Sequence, residues 1–229
     1  MRYAPRFRHE LKYEIDYGQY LCIRQRLAAI CKRDPHVSQS GTYLIRSVYF
    51  DNADNKALSE KVIGASRREK FRIRYYNDDL SFVTLEKKQK INDLCKKIDC
   101  ALTRDELCDI LSGDIDFMKD HPEQLVRELY ACMKTQSLCP KVLVSYKREP
   151  YIYSPGNVRI TFDSNIRTSS FLRNGLENIQ DLPATDDANM MIMEVKYDDF
   201  LPDIIKTIVN EGNILQQSFS KYEACRRFG

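Results

Sequence analysis

The chain has no tryptophan, only eight glycines, eight prolines and three histidines in 229 residues, and no apolar run approaching the roughly 18 residues that span a bilayer. Each shortage excludes something. The scattered glycines form neither GxGxxG nor GxxxxGK, so a Rossmann or Walker-type nucleotide loop is not expected. His9, His36 and His121 show no HExxH or i, i+4 pairing, which argues against zinc hydrolysis and His-based nucleophilic catalysis. The eight cysteines, at 22, 31, 95, 100, 108, 132, 139 and 225, have no CxxC pair and no metal-ligand spacing, and the start, MRYAPRFRHELKYE, is too charged for a signal peptide. They read as reduced thiols of a cytoplasmic protein. Charge of one sign is also missing: 36 Lys and Arg against 33 Asp and Glu leave a net +3, so the balance does not mark a polybasic nucleic-acid protein. With 30% of residues charged, the information lies in where the charges sit.

No repeat or Pro/Gly/Ser-rich linker divides the sequence, and the reading is a single domain over residues 1–229. Alternating segments rich in Tyr, Phe, Val and Ile predict about eight strands, near 4–14, 43–51, 68–77, 80–91, 94–101, 140–153, 157–166 and 190–198. Helices are expected from Asp16 as N-cap to about Lys32, and over 54–62, 103–111, 121–135, 201–210 and 219–228. Thr103 and Glu106 make a capping-box pattern. Turns at Asn77-Asp78-Asp79, Asn92-Asp93 and Ser154-Pro155-Gly156-Asn157 predict antiparallel hairpins, and 167–189, with Gly175, Pro183 and Asp186-Asp187, reads as a mobile irregular loop.

Residues i, i+2 and i+4 of a strand share a face, and here one face is repeatedly cationic. The first strand groups Arg6, Arg8, Glu10 and Lys12 against Phe7, Leu11 and Tyr13. The third groups Lys70, Arg72 and Arg74, and the fourth Glu86, Lys88 and Lys90. Later, Arg159, Thr161 and Asp163 oppose Val158, Ile160 and Phe162, while Glu194 and Lys196 oppose Met193, Val195 and Tyr197. An antiparallel sheet with one wet face accounts for each strand alone. Yet cations outnumber carboxylates more than two to one on these faces, and solvated faces mix signs more evenly. Helices such as 16–32, with Tyr20, Leu21, Leu27, Ala28 and Ile30 along an apolar stripe, would cover the other face. The expected fold is therefore α+β: a closed eight-stranded antiparallel barrel with helices packed outside and a cationic lumen. Buried unpaired cations are costly, so that lumen must be wet or hold anions. Arg offers a fork for phosphate oxygens and Lys a point charge, and Glu10, Glu86 and Glu194 are candidate oxygen ligands for magnesium or manganese.

The segments RHELKY (8–13), IRSVYFDN (45–52), KFRIRYY (70–76), LEKKQK (85–90), VSYKREPY (144–151), VRITFD (158–163), MEVKYD (193–198) and SFSKYEACR (218–226) occur together in one order. In that order the chain resembles the triphosphate tunnel metalloenzyme superfamily, and within it the catalytic domain of VTC-type polyphosphate polymerases in its stand-alone bacterial form. The resemblance covers nearly the whole chain. It implies a tunnel that uses ATP to extend inorganic polyphosphate with Mn2+ or Mg2+, and a separately encoded membrane partner in place of any membrane segment in this chain. It assigns phosphate contacts to Lys12, Arg72, Arg74, Lys88, Arg148, Arg159 and Lys196, with Tyr146, Ser220 and Lys221 nearby, Lys97 as a further match, and Glu194 as the main metal ligand.

Two positions depart from the pattern. The superfamily's usual first-strand signature is Glu-x-Glu-x-Lys, and here Arg8 stands at the first Glu. That removes a metal ligand and disfavours two-metal hydrolysis or cyclase chemistry. Ser218 stands where the polymerase branch can carry Lys, two positions before Ser220. The rival readings are a triphosphate phosphohydrolase of the same fold, marked by the missing Glu, and a non-catalytic polyanion-binding module, which would tolerate loss of Glu194. Nucleic acid is not an expected partner, because the basic residues alternate in strands rather than form a stripe with stacking aromatics.

Overall fold

The computed structural model describes residues 8–35, 37, 40–91, 94–169, 181–185, 189–210 and 214–228. Arg6, Phe7, His36, the Asn92-Asp93 turn, Gly175 and Asp186-Asp187 lie outside them, as does the side chain of Cys95. In chain order the elements are β1 (His9–Ile15), α1 (Tyr17–Ile30), β2 (Lys32–Arg33), β3 (Tyr43–Asp51), α2 (Lys56–Val62), β4 (Arg67–Tyr76), β5 (Asp79–Ile91), β6 (Leu94–Leu102), α3 (Arg104–Ser112), α4 (Gln124–Gln136), β7 (Cys139–Tyr153), β8 (Val158–Ser169), β9 (Leu182–Pro183), β10 (Met191–Tyr197), α5 (Asp203–Val209) and α6 (Lys221–Phe228).

Local chemistry sets the boundaries. Asp16 accepts from the Gln19 amide while Gln19 reaches back to the Asp16 amide, and Thr103 and Glu106 do the same for α3. Asn77 and Asp78 both have positive φ, the two-residue turn whose twist matches that of the strands it joins, so β5 already begins at Asp79. At the β7–β8 turn Gly156 has φ of 70°, and a Cβ there would stand 2.5 Å from the Phe200 carbonyl oxygen.

All strand pairs are antiparallel, in the order β1-β10-β8-β7-β3-β4-β5-β6, with β2 added to β7 and β9 to β8. A flat sheet would set β1 and β5, six steps apart in that order, roughly 29 Å from each other. Lys88 Nζ of β5 instead lies 3.6 Å from Glu10 Oε2 of β1, so the sheet curls until its ends face each other. The expected closed barrel is corrected here: among the described residues no hydrogen bonds join β1 to β6. The free edge of β1 is engaged elsewhere, since the Gln217 amide donates to the Lys12 carbonyl and Gln216 bridges Tyr13.

The outward face carries two apolar clusters. Val48, Ile73, Leu85 and Leu102 pack under α3 and α4, and Tyr151, Ile160, Phe162 and Val195 pack under α1 and α5. A third cluster, with Ile45, Val142, Val144 and Ile192, belongs to the inward face, and Tyr222 and Cys225 of α6 fill it. Helix α6 therefore lies inside the curl, which corrects the expectation that all helices pack outside. Its apolar side chains find there the only cluster built from inward-pointing aliphatics among the described residues.

Candidate functional site

Strand register decides what points inward. Across the sheet, Glu10 pairs with Lys196 and Arg159, Lys12 with Glu194 and Thr161, Asp163 with Arg148 and Tyr43, and Arg72 with Tyr49, Glu86 and Asp99. Directly opposed residues share a face, so these side chains line one surface of the curl.

Four carboxylates organise it. Glu194 lies 2.6 Å from Lys196 and 3.9 Å from Lys12. Glu10 lies 3.0 Å from Lys12 and 3.6 Å from both Lys88 and Lys196. Asp163, fully buried, accepts a bidentate pair from Arg148 at 2.6 and 2.7 Å, and Lys221 sits 2.6 Å away. Glu86 takes Arg72 at 2.5 Å, Lys97 at 2.9 Å and Arg74 at 3.9 Å. Hydroxyls link the groups: Arg72 donates to Tyr49, Arg74 to Ser47 and Tyr146, and both Arg148 and Lys221 lie against the Tyr146 ring.

Burial raises the cost of every one of these charges, and their mutual attraction outweighs it. Burial and neighbouring Glu194 push the Glu10 carboxyl up, but Lys12, Lys196 and Lys88 bring it down to about 2. Burial opposes ionisation of Glu86 too, and Arg72, Arg74 and Lys97 carry it to about 2. Glu194 is held well below the usual range against burial by Lys196, Arg148, Lys12 and Lys221, and Asp163 is lowered by Arg148 and Lys221. Against its own burial, Tyr49 is lowered by Arg72 and Arg74. Glu10, Glu86, Asp163 and Glu194 are therefore carboxylates at neutral pH, and the cations around them outnumber them.

The structure brings Lys12, Lys88, Lys196, Glu10 and Glu194 into one group, Arg148, Lys221 and Tyr146 into a second around Asp163, and Arg72, Arg74, Lys97 and Glu86 into a third. Arg159 stands apart, 39% exposed and paired with Asp34 and the Tyr43 hydroxyl. Ser220 caps α6, its hydroxyl accepting from the Glu223 amide at 3.4 Å. Sequence reasoning placed Asp163 on the right face without giving it a role, and passed over Ser47 and Tyr49. Strand parity could have found both, because they share the inward face of Ile45 and alternate with Val48 and Phe50 in β3.

Glu10 and Glu194 are the pair that fits a hard divalent cation: they are adjacent carboxylates sharing Lys12 and Lys196, and such cations use one or two carboxylates together with phosphate oxygens. Glu86 fits less well, since Arg72 and Lys97 hold its two oxygens at 2.5 and 2.9 Å, whereas Oε2 of Glu10 and Oε2 of Glu194 stand 3.6 and 3.9 Å from their lysines. No cluster of three or more ligating side chains forms among the described residues, so the remaining ligands would have to come from the substrate.

The curled antiparallel sheet thus gathers cations and a few carboxylates on its inward face. The VTC domain model matches residues 7–228, and the chain belongs to the VTC domain family. No curated protein matches the sequence. Among solved structures, a Bacillus halodurans protein described as a candidate adenylate cyclase is 14% identical over 95% of this chain and 96% of its own, with a TM-score of 0.53. A protein of Pyrococcus horikoshii OT3 is 13% identical over 97% of this chain and 99% of its own, with a TM-score of 0.49. At such identities the first likeness concerns the fold alone.

Proposed function

We propose that the protein is a polyphosphate polymerase, which transfers the γ-phosphate of ATP to the end of a growing inorganic polyphosphate chain. The observation that carries this reading is the enclosed inward face, where Lys12, Arg72, Arg74, Lys88, Lys97, Arg148, Lys196 and Lys221 converge on five carboxylates, Glu10, Glu86, Asp99, Asp163 and Glu194. Phosphoryl transfer asks a protein for alignment and for charge on the equatorial oxygens, both of which such a surface supplies without a His or Cys nucleophile.

In this mechanism Arg72, Arg74, Lys88 and Arg148 clamp the triphosphate, and Lys196 and Lys221 offset charge on its oxygens. Mn2+ or Mg2+ held by Glu194 and Glu10 would neutralise phosphate oxygens there. An oxygen of the chain's terminal phosphate attacks the γ-phosphorus in line, the bond to the bridging β–γ oxygen breaks, and ADP leaves with the electron pair. A phosphate acceptor is already ionised, so chain extension requires no general base; where water is the acceptor in the first round, orthophosphate forms and the proton passes to solvent. We assign this activity to the whole of residues 1–229 and place it in the cytoplasm, with any membrane partner a separate chain. No helix of the described residues is long and apolar enough to cross a membrane.

A phosphohydrolase of the same fold calls for a carboxylate at position 8. Arg8 pairs there with Asp198 at 2.8 Å and donates to the Asn157 carbonyl, which favours the polymerase. The test is incubation of purified protein with ATP and manganese, followed by gel electrophoresis with a polyanion stain. A ladder erased by exopolyphosphatase and missing for Glu194→Ala is expected. Free phosphate without a ladder would move the assignment to a hydrolase, and neither product would leave a binding module.

A further inference from the structure

Arg72 and Arg74 lead along β4 to Tyr76, and there the inward face turns from cationic to aromatic. Tyr76 pairs with Ile45 of the inward face, and Tyr43, two residues earlier in β3, meets it edge-on with ring centroids 5.7 Å apart. Phe82 of β5 is its other aromatic neighbour, 6.5 Å away and tilted by 34°. A break in the β4–β5 pairing puts it there. The register shifts between Arg74 and Tyr76, and Leu80 and Val83 both pack on the outward cluster, so the bulge re-aims Phe82 towards Tyr76.

Phe82 is 62% exposed and so forgoes most of the burial that usually holds such a ring. Its neighbours are fixed more firmly. Arg159, which stands apart from the carboxylates of the site, pairs with Asp34 and donates to the Tyr43 hydroxyl, holding the Tyr43 ring against Tyr76. The result is a backed aromatic ledge with one open ring at the rim of the cationic surface. Tyr76 is two residues from Arg74, roughly 7 Å along the strand. That leaves room for one ribose between a phosphate on Arg74 and a base on the ledge.

We propose that Phe82 and Tyr76 stack the base of a nucleoside triphosphate whose phosphates lie at Arg72 and Arg74, with Tyr43 and Arg159 as positioning residues behind them. The triphosphate at those arginines rests on the polymerase reading; the ledge rests on geometry alone. A ligand that fills both parts is polyanionic at one end and flat and aromatic at the other, which a nucleotide is and inorganic polyphosphate is not. The ledge therefore separates donor from acceptor. Both present phosphates to the same cations, and only the nucleotide reaches Phe82. It also sets direction: with the base at Tyr76, the γ-phosphate points along β4 towards Arg72. Stacking reads a π-face and not an edge, so purines should bind ahead of pyrimidines without selection of one purine.

The test is calorimetric titration in EDTA with ATP and with ribose 5′-triphosphate, the same phosphates without the base, on wild type, Phe82→Ala, Phe82→Trp and Tyr76→Leu. Wild type is expected to bind ATP about tenfold more tightly than ribose 5′-triphosphate, the scale of one base–aromatic stack. Phe82→Ala, altered at an exposed ring, should bring ATP down to the baseless ligand and leave that ligand unchanged. Phe82→Trp should keep the preference, and Tyr76→Leu should reduce it where thermal melts show it folded. Equal wild-type affinities, absence of binding included, or a Phe82→Ala change that is nil or the same for both ligands, would overturn the proposal. If the wild type makes no polyphosphate from ATP yet shows this base-dependent binding, the polymerase reading fails and the base site stands. A wild type that makes polyphosphate while binding both ligands alike loses the base site alone.

Discussion

Glu86 shows how the site pairs charge before any substrate arrives. Its side chain is 4% exposed, and against that burial Arg72, Arg74 and Lys97 bring its carboxyl down to about 2 from an ordinary 4.5. A carboxylate lowered in this way contributes stability that is complete above its unfolded value and disappears as pH falls through the folded one. The shift corresponds to about 3 kcal/mol. Glu86→Gln should therefore lose about that much at pH 7 by urea denaturation, and the gap to wild type should close as the pH falls from about 4.5 towards 2. A gap independent of pH would mean that Glu86 acts through packing alone. The cations of this site were legible in the sequence because alternation puts Lys70, Arg72 and Arg74 on one face whatever the sheet does next. Their partners were not, because Glu86 meets Lys97 through a β5–β6 register that alternation alone does not set, and Glu10 meets Lys88 only after the sheet has curled, and curl is set by many small twists rather than by any one residue.

At the scale of elements, the capped and periodic segments were the readable ones. The Asp16 and Thr103 boxes fixed two helix starts to within a residue, and Thr103→Ala should lower stability by about 1 kcal/mol. In a chain of this size that is about 2–4 °C in Tm. Because α3 packs on the outward face, polyphosphate synthesis per folded molecule should not change; a loss of activity would show that the outer layer controls the lumen. The two-residue strands β2 and β9 escaped prediction, being too short to show a period. Helix α6 was found in sequence but misplaced in space. Its amphipathic pattern says that one face must be buried and cannot say on which side of a sheet, and Asp51 settles the matter by accepting both from the α2 amides and from Tyr222.

For the whole molecule, a net charge of +3 conceals a polarised distribution, with cations concentrated inside a curl whose seam is spanned by the Lys88–Glu10 pair. Such an interior carries self-repulsion that its carboxylates do not cancel, and a bound polyanion would relieve it. Ligand that binds only the folded state stabilises by about 2.7 kcal/mol at a hundredfold excess over Kd. For a chain of this length the corresponding rise in Tm is about 5–10 °C. Tripolyphosphate should produce that rise in wild type, and added potassium chloride should reduce it as exposed charges are screened. Arg72→Ala/Arg74→Ala should show less of it, because two of the four groups of the proposed clamp are gone even though the outward clusters that hold the fold are intact. Sodium sulfate at matched ionic strength separates a polyanion site from general salting effects. A rise of the same size with sulfate would mean that the lumen responds to any anion and does not recognise the polyphosphate backbone.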